Sequence, residues 1–202
     1  MAAMTKTEQA LKLVRQMQVV RPKDLLPYGI APVYLRRLIK TGELTQTARS
    51  LYKLPEHKKT THHRLAEASK RIPNGVVCLL SALFFHGLAK QPPQVWVAID
   101  RKSRKPVVRE LPIRFVRFPA TGLQKFTEQH VIEGVPVRVT TCAKTITDCF
   151  RYRNKIGMDV ALEALRQCLR QRRCSKAELL KCAVACRIST VVRPHLEALL
   201  TN

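Results

Sequence analysis

The chain of 202 residues carries 37 Lys and Arg against 14 Asp and Glu, which gives a formal net charge of +23. Hydrophobic residues make up 46%, enough for packed cores, so the composition excludes a disordered basic tail. No apolar run approaches the ~20 residues that a membrane span needs. We therefore expect a cytoplasmic, nucleoid-associated protein whose basic surface meets a polyanion such as double-stranded DNA.

The first predicted element is a helix that begins after Thr5. Thr5 and Glu8 have the spacing of a capping box, in which each side chain accepts a hydrogen bond from the backbone of the other. Apolar residues follow at a helical period as far as Met17. This helix should end near Gln18 and cover the core side of the next two helices.

Residues 22–40 have the pattern of a helix-turn-helix. A short helix over 22–26 leads into a turn that contains glycine. The second helix begins at Pro32, because proline suits the first helical turn, and Gly42 suits the position just beyond its end.

The second helix presents a basic face. Its apolar stripe is predicted to face the core and leaves three cations outside: Arg36, Arg37 and Lys40. We expect these cations to reach the DNA major groove, and Tyr34 to touch a base edge or a sugar. A solvated helix face would show the same pattern.

Residues 44–55 predict a wing. Two short strands, over 44–48 and 51–55, flank a basic tip. In this arrangement Arg49 and Lys53 are expected to hold backbone phosphates.

A polar segment over 56–61 predicts a linker. It divides the chain into a winged helix-turn-helix domain (1–55) and a second domain (62–202), each with its own core and few contacts between them. His62 and His63 are adjacent and point to different faces, so they are interpreted as a solvated junction rather than a metal site.

The second domain mixes helices and strands. Its first predicted elements are a helix ending near Arg71 and a buried apolar helix over 76–88, whose β-branched start is also compatible with a short strand over 76–80. Strands over 94–99 and 113–118 follow, and then a hairpin over 131–139 that turns at Glu133 and Gly134. Helices complete the chain: one over 141–152, one from Gly157, one capped by Ser175 and Glu178, and one with Pro194 in its first turn. The fold class is therefore α+β, with an N-terminal winged helix-turn-helix and a mixed α/β domain that ends in helices.

A basic loop separates the two predicted strands of the second domain. Its four cations are Arg101, Lys102, Arg104 and Lys105. They could add to DNA binding or form a solvated loop, and charge alone does not decide between the two.

Asp148 and His86 are expected to have structural roles. Asp148 lies three residues before Arg151 in a predicted helix, where an ion pair is expected. His86 precedes Gly87 at a helix end and is expected to form a local hydrogen bond.

Catalytic motifs are missing from the sequence. It contains no nucleophile elbow, phosphate-binding loop, dinucleotide fingerprint or zinc-protease motif. Asp100 and Lys102 follow a strand in the manner of a metal-dependent nuclease, but few carboxylates accompany them. We predict no enzymatic activity and no cofactor, with a nuclease-like protein as a minor alternative.

The seven cysteines are scattered, and no two have CxxC spacing. Cys182 and Cys186 lie four residues apart, with Cys168 and Cys174 upstream and His195 downstream. Structural zinc sites favour tight knuckles, whereas cysteine is often a buried apolar residue. Core packing is therefore predicted, without a metal.

Several strings resemble the AbiEi family, the antitoxins of abortive-infection (type IV) toxin–antitoxin systems. In the second domain they are Ser81 to Leu88, Pro93 to Ile99 and Thr145 to Asp148, and in the first they run from Gly29 to Leu44 and from Tyr52 to Pro55. Ser50-Leu51 precedes Tyr52 where the family usually has a glycine before the tyrosine, so the wing turn is expected to differ.

The resemblance implies two roles. The N-terminal domain would repress its own operon by binding an operator that consists of inverted repeats. The C-terminal domain would counter a nucleotidyltransferase-type toxin, directly or indirectly. Phage defence would be the context. The alternative is a winged-helix regulator without a toxin partner.

Overall fold

The chain is an α+β protein in which a winged helix-turn-helix packs on a five-stranded mixed sheet and its helices. The computed structural model describes residues 4–48, 50–55 and 60–199. Arg49 and residues 56–59 of the predicted linker lie outside this part of the chain.

The N-terminal unit contains the predicted helices and wing. Its elements are α1 (Lys6–Met17), β1 (Val19–Val20), α2 (Pro22–Leu25), a 3-10 turn (Leu26–Tyr28), α3 (Pro32–Lys40), β2 (Thr45–Ala48) and β3 (Leu51–Lys53). The capping box of α1 is confirmed: Glu8 N donates to Thr5 Oγ1 at 3.2 Å, and Thr5 N donates to Glu8 Oε2 at 2.8 Å. The wing strands form an antiparallel sheet with β1, in the order β1-β3-β2.

The C-terminal unit continues with strands and then helices. Its elements are α4 (His63–Arg71), β4 (Val76–Val77), α5 (Leu79–Phe85), β5 (Val95–Asp100), β6 (Ile113–Phe118), α6 (Ala120–Gln124), β7 (Thr127–Ile132), β8 (Val135–Thr140), α7 (Cys142–Arg151), α8 (Arg153–Ile156), α9 (Met158–Arg170), α10 (Lys176–Ala185) and α11 (Ser189–Ala198).

The five-stranded sheet separates two apolar cores. Its order is β6-β5-β4-β8-β7, with parallel pairing of β5 with β6 and of β4 with β8. One core contains α4, and the other contains α5, α7, α9, α10 and α11. Among the described residues, no helix is long and apolar enough to cross a bilayer.

The apolar run 76–88 divides into β4 and α5, the strand alternative that its β-branched start allowed. Val76 and Val77 pair with β5, and Val77 also pairs with Val139 of β8, before the helix starts at Leu79. One predicted helix start was wrong. The last helix begins at Ser189, so Pro194 lies inside it rather than in its first turn.

Asp148 pairs with Lys144, one turn earlier in α7, and not with Arg151 as expected. Both members of the pair are buried, at 1% and 4% exposure. Burial raises the pKa of Asp148, although the Lys144 ammonium opposes the rise. His86 was also expected to bond locally, but its Nε2 bonds the Thr140 carbonyl oxygen, on β8, at 2.8 Å.

The cysteines are mostly core residues, as predicted. Cys78, Cys149 and Cys182 are fully buried, and burial raises the pKa of the Cys78 and Cys149 thiols. His195 stacks on Phe150, with ring centroids 5.4 Å apart, and so lies against the core.

The two units share a core, so the expectation of few contacts between them was wrong. Val19 of β1 and Leu51 of β3 pack in the same cluster as Leu65 of α4. Asp24 of α2 forms an ion pair with Lys70 of α4. The wing therefore cannot leave the second unit without exposing apolar surface.

Glu133 holds the segment of the chain that enters the second unit. Its carboxylate accepts hydrogen bonds from Thr60 N and Thr60 Oγ1, each at 2.9 Å, and lies 2.6 Å from His63 Nδ1. Burial would raise the pKa of Glu133, but His63 and Thr60 outweigh it, so this pKa is lowered.

The histidine pair is not the solvated junction that its sequence suggested. His63 is 6% exposed, and the His62 ring lies 5.0 Å from the ring of Phe84. Burial lowers the pKa of His62. Both rings belong to the packing between α4, α5 and the β7–β8 hairpin.

Candidate nucleic-acid interface

Helix α3 has one buried face and one basic face. Leu35 and Leu38 are each 1% exposed and pack in the N-terminal core. The three predicted cations on the opposite face are exposed: Arg36, Arg37 and Lys40. None of them forms an ion pair with a carboxylate within residues 4–48, 50–55 and 60–199. Their charges therefore face solvent, as phosphate or base recognition requires.

Tyr34 supports this face rather than standing free on it. Its ring is half-buried against the N-terminal core, and the Arg37 guanidinium carbon lies 5.7 Å from the ring centroid. This cation–π contact is weak at an exposed site, but it restricts the directions that Arg37 can take.

Three exposed apolar side chains lie on the 3-10 turn and on α3, and the sequence analysis did not single them out. They are Leu26, Tyr28 and Val33, which are 57%, 51% and 48% exposed. Exposed apolar groups beside a recognition helix suit thymine methyl groups and sugars. Their exposure depends on the angle between the 3-10 turn and α3, which the sequence pattern does not reveal.

The wing differs from the prediction in one cation. Lys53 is only 7% exposed, because it lies on the same face of β3 as the buried Leu51, which packs in one cluster with Leu65 of α4. A side chain placed there offers little surface to a phosphate, so Lys53 is removed from the interface. Arg49, the other wing cation, lies outside the described residues. The neighbouring Ser50 has φ 65°, so the turn is left-handed without glycine.

The basic loop after β5 has a defined shape. Arg117 of β6 donates hydrogen bonds to the carbonyl oxygens of Asp100, at 2.9 Å, and Arg101, at 3.1 Å. The Asp100 carboxylate accepts from Lys102 N at 2.7 Å, which commits it to the turn. The four cations of the loop are all exposed: Arg101, Lys102, Arg104 and Lys105.

The chain that leaves this loop runs beside the wing. A groove of about 610 Å³ is lined by Lys23 and Ser50 from the N-terminal unit and by Arg109 from the second unit. Lys23 and Arg109 are exposed. Sequence reasoning missed these two cations because only the docking of the units brings them together.

Two further arginines of the groove contact carboxylates. Arg71 contacts Glu67 at 3.3 Å and Glu110 at 2.9 Å, and Arg21 lies 3.4 Å from Asp24. Burial would raise the pKa of Asp24, but hydrogen bonds and charges from Lys70 and Arg21 outweigh it and lower this pKa. Of the four cations that line the groove, Lys23 and Arg109 are the exposed ones.

Comparison with known proteins identifies the N-terminal unit. The family described as "Transcriptional regulator, AbiEi antitoxin" matches residues 8–55, which run from α1 to the end of the wing. This match confirms the AbiEi resemblance for that unit. No curated protein matches the chain.

A solved structure shares the fold of the whole chain. The RV2827C protein from Mycobacterium tuberculosis aligns with a TM-score of 0.59 and 14% identity, covering 99% of this chain and 82% of that one. At this identity the likeness concerns the fold alone.

Proposed function

We propose that the protein is a DNA-binding antitoxin that represses its own operon and counters a nucleotidyltransferase-type toxin. The observation that carries the DNA-binding part is the exposed basic face of α3 on a unit that matches the AbiEi regulators. Arg36, Arg37 and Lys40 would enter the major groove of the operator, since the second helix of a helix-turn-helix does so. Tyr34 would hold Arg37 beside a base edge.

The second unit would extend this footprint. Arg101, Lys102, Arg104 and Lys105 stand on a fixed loop, and the groove with Lys23 and Arg109 leads from that loop to the wing turn, where Arg49 is predicted to hold a phosphate. Phosphate contacts spread over two units would explain why the high positive charge is not confined to the helix-turn-helix.

The antitoxin part rests on the resemblance of the second unit. The strings that carry it fall on α5, β5 and α7, where Leu83, Ala98 and Ile146 are fully buried in one core. These strings therefore define the fold of the unit, and the surface that opposes a toxin would lie on its exposed residues. The proposed partner is a cognate toxin of the nucleotidyltransferase type.

Growth and reporter assays in one strain test both parts. The full chain is expressed with a nucleotidyltransferase gene from its own operon and with a reporter under the operon promoter. Replacement of Arg36 and Arg37 by Ala should release the promoter while leaving rescue from the toxin intact, because only DNA contacts are removed. Arg166 and Arg170, exposed on α9, provide a control of equal charge change.

Each alternative predicts a different result. A regulator without a toxin partner would repress the promoter but never restore growth. Continued repression by the variant lacking Arg36 and Arg37 would contradict the assignment of α3 as the recognition helix.

A further inference from the structure

Three cysteines far apart in sequence meet at one point of the second unit. Cys142 begins α7, Cys168 lies near the end of α9, and Cys174 follows in the segment before α10. Their sulfur atoms all lie within 4.8 Å of one another. The sequence analysis considered Cys168 and Cys174 together with residues of α10, and missed Cys142 because the fold alone brings it to them.

The sulfur separations suit a thiolate-bound metal. In a tetrahedral site with Zn–S bonds of ~2.3 Å, neighbouring sulfurs lie ~3.8 Å apart. The Sγ atoms of Cys142 and Cys168 are 3.7 Å apart. Those of Cys168 and Cys174 are 2.9 Å apart, well beyond the ~2.05 Å of a disulfide bond. A shift of Cys174 by about 1 Å would complete the trigonal base.

The positions of the three residues favour this use. Cys142 is the first residue of α7 and is buried, so the helix fixes the position of its sulfur. Cys168 is fully buried and supplies a rigid ligand. Cys174 is half-buried on a connecting segment, so it can adjust to a metal.

The trio opens on a cavity through which an ion can enter. The cavity has a volume of about 420 Å³ and is lined by Cys142 and Cys174 together with His86, Arg173 and Lys181. Glu128 and Glu178 line the same cavity, so the charges of Arg173 and Lys181 are balanced there by two carboxylates. A fourth metal ligand from solvent can be placed on this side.

We propose that Cys142, Cys168 and Cys174 form a binding site for a thiophilic divalent cation of the Zn²⁺ type. Soft thiolate ligands select such metals, and a set of three leaves one position for an exchangeable ligand. Metal binding would link α7, the end of α9 and the segment before α10. It would therefore stabilise the packing of these helices in the second unit. Metal loading and DNA binding are separate properties, and the site does not depend on the proposed repressor role.

Zinc titration of the full-length, reduced and metal-free chain tests the proposal. Competition with a chromophoric chelator measures affinity, and Co²⁺ substitution reports thiolate ligation through its charge-transfer absorption. One Zn²⁺ per chain should bind. Cys142→Ser, Cys168→Ser and Cys174→Ser should each weaken binding by more than ~100-fold, since even the loss of an outer-shell partner costs 10–100-fold.

Cys186→Ser is the matched control. Cys186 is half-buried and its thiol pairs with Cys182 on α10, so this variant should bind Zn²⁺ as the unaltered chain does. Circular dichroism and melting curves check folding, and Cys174→Ser carries the test if the buried Cys168→Ser variant does not fold. Failure of the reduced chain to bind Zn²⁺, unchanged binding by Cys174→Ser, or lost binding in Cys186→Ser would each overturn the proposal.

Discussion

Gly134, at the tip of the β7–β8 hairpin, lies directly against the backbone of Met17 at the end of α1. A Cβ atom at Gly134 would stand 2.5 Å from the Met17 carbonyl oxygen, and Gly134 has φ +73°. The hairpin turn can approach α1 this closely only because position 134 has no side chain. This contact and the Asp24–Lys70 ion pair join the helix-turn-helix to the second unit, while Glu133 holds Thr60 and His63 where the chain enters that unit.

Replacement of Gly134 by Ala should destabilise the fold by loosening this contact. A left-handed φ costs an L-residue roughly 1–2 kcal/mol, and the backbone clash adds to that cost. Gly42→Ala is the control, since Gly42 has φ +77° and nothing within 4 Å of its added Cβ. Urea unfolding should show a larger loss for Gly134→Ala than for Gly42→Ala. Equal losses would mean that α1 moves away from the hairpin at no cost.

Acid should destabilise the fold at two places, the junction of the units at Asp24 and the entry to the second unit at Glu133. Asp24 and Glu133 both have lowered pKa values in the folded chain. Their contribution is fully present above the unfolded carboxyl values of ~3.9 and ~4.3, and it is lost as pH falls through the lower folded values. Unfolding free energies measured from about pH 6 downward should therefore fall in acid. The Asp24→Asn, Glu133→Gln double variant should be less stable at neutral pH and show a flatter acid dependence. If the double variant loses stability in acid as steeply as the unaltered chain does, other carboxylates cause the acid effect.

Lys53→Met should leave the salt dependence of DNA binding unchanged, because Lys53 is buried in the central wing strand. Each phosphate contact contributes about 0.9 to the slope of log affinity against log salt. Titrations at several salt concentrations measure that slope. A decrease of about this size would show that Lys53 reaches the DNA after all.

Neutralising the basic loop should lower the same slope. Replacement of Arg101, Lys102, Arg104 and Lys105 by Gln removes up to four phosphate contacts, and each one lost lowers the slope by about 0.9. The control replaces four exposed cations near the end of α9 and the start of α10: Arg166, Arg170, Arg172 and Lys176. If the loop faces solvent and not DNA, the loop variant and the control variant will have the same slope of log affinity against log salt.

Local signals in the sequence predicted local structure well. The capping boxes at Thr5 and Ser175, the strands of the wing and the turn at Glu133 are confirmed. In each case the residues that specify the element are neighbours in the chain, so their chemistry is visible in the sequence.

Long-range pairing accounts for what the sequence analysis missed. Val77 pairs with Val139 of β8, which decides for a strand where the sequence allowed strand or helix, and Lys53 is buried because its face of β3 packs towards α4. The burial of His63 depends on Glu133, seventy residues away. None of these partners has a spacing that a periodic pattern could reveal.

The most direct test of the account is operator binding by the chain in which Arg36 and Arg37 are replaced by Ala. Each lost base contact should cost about 1–3 kcal/mol, so affinity for the operon promoter should fall at least tenfold while binding to unrelated DNA changes much less. The Arg166→Ala, Arg170→Ala chain, with the same net charge, should retain promoter affinity. Equal promoter affinity in the two variants would contradict the placement of α3 in the major groove.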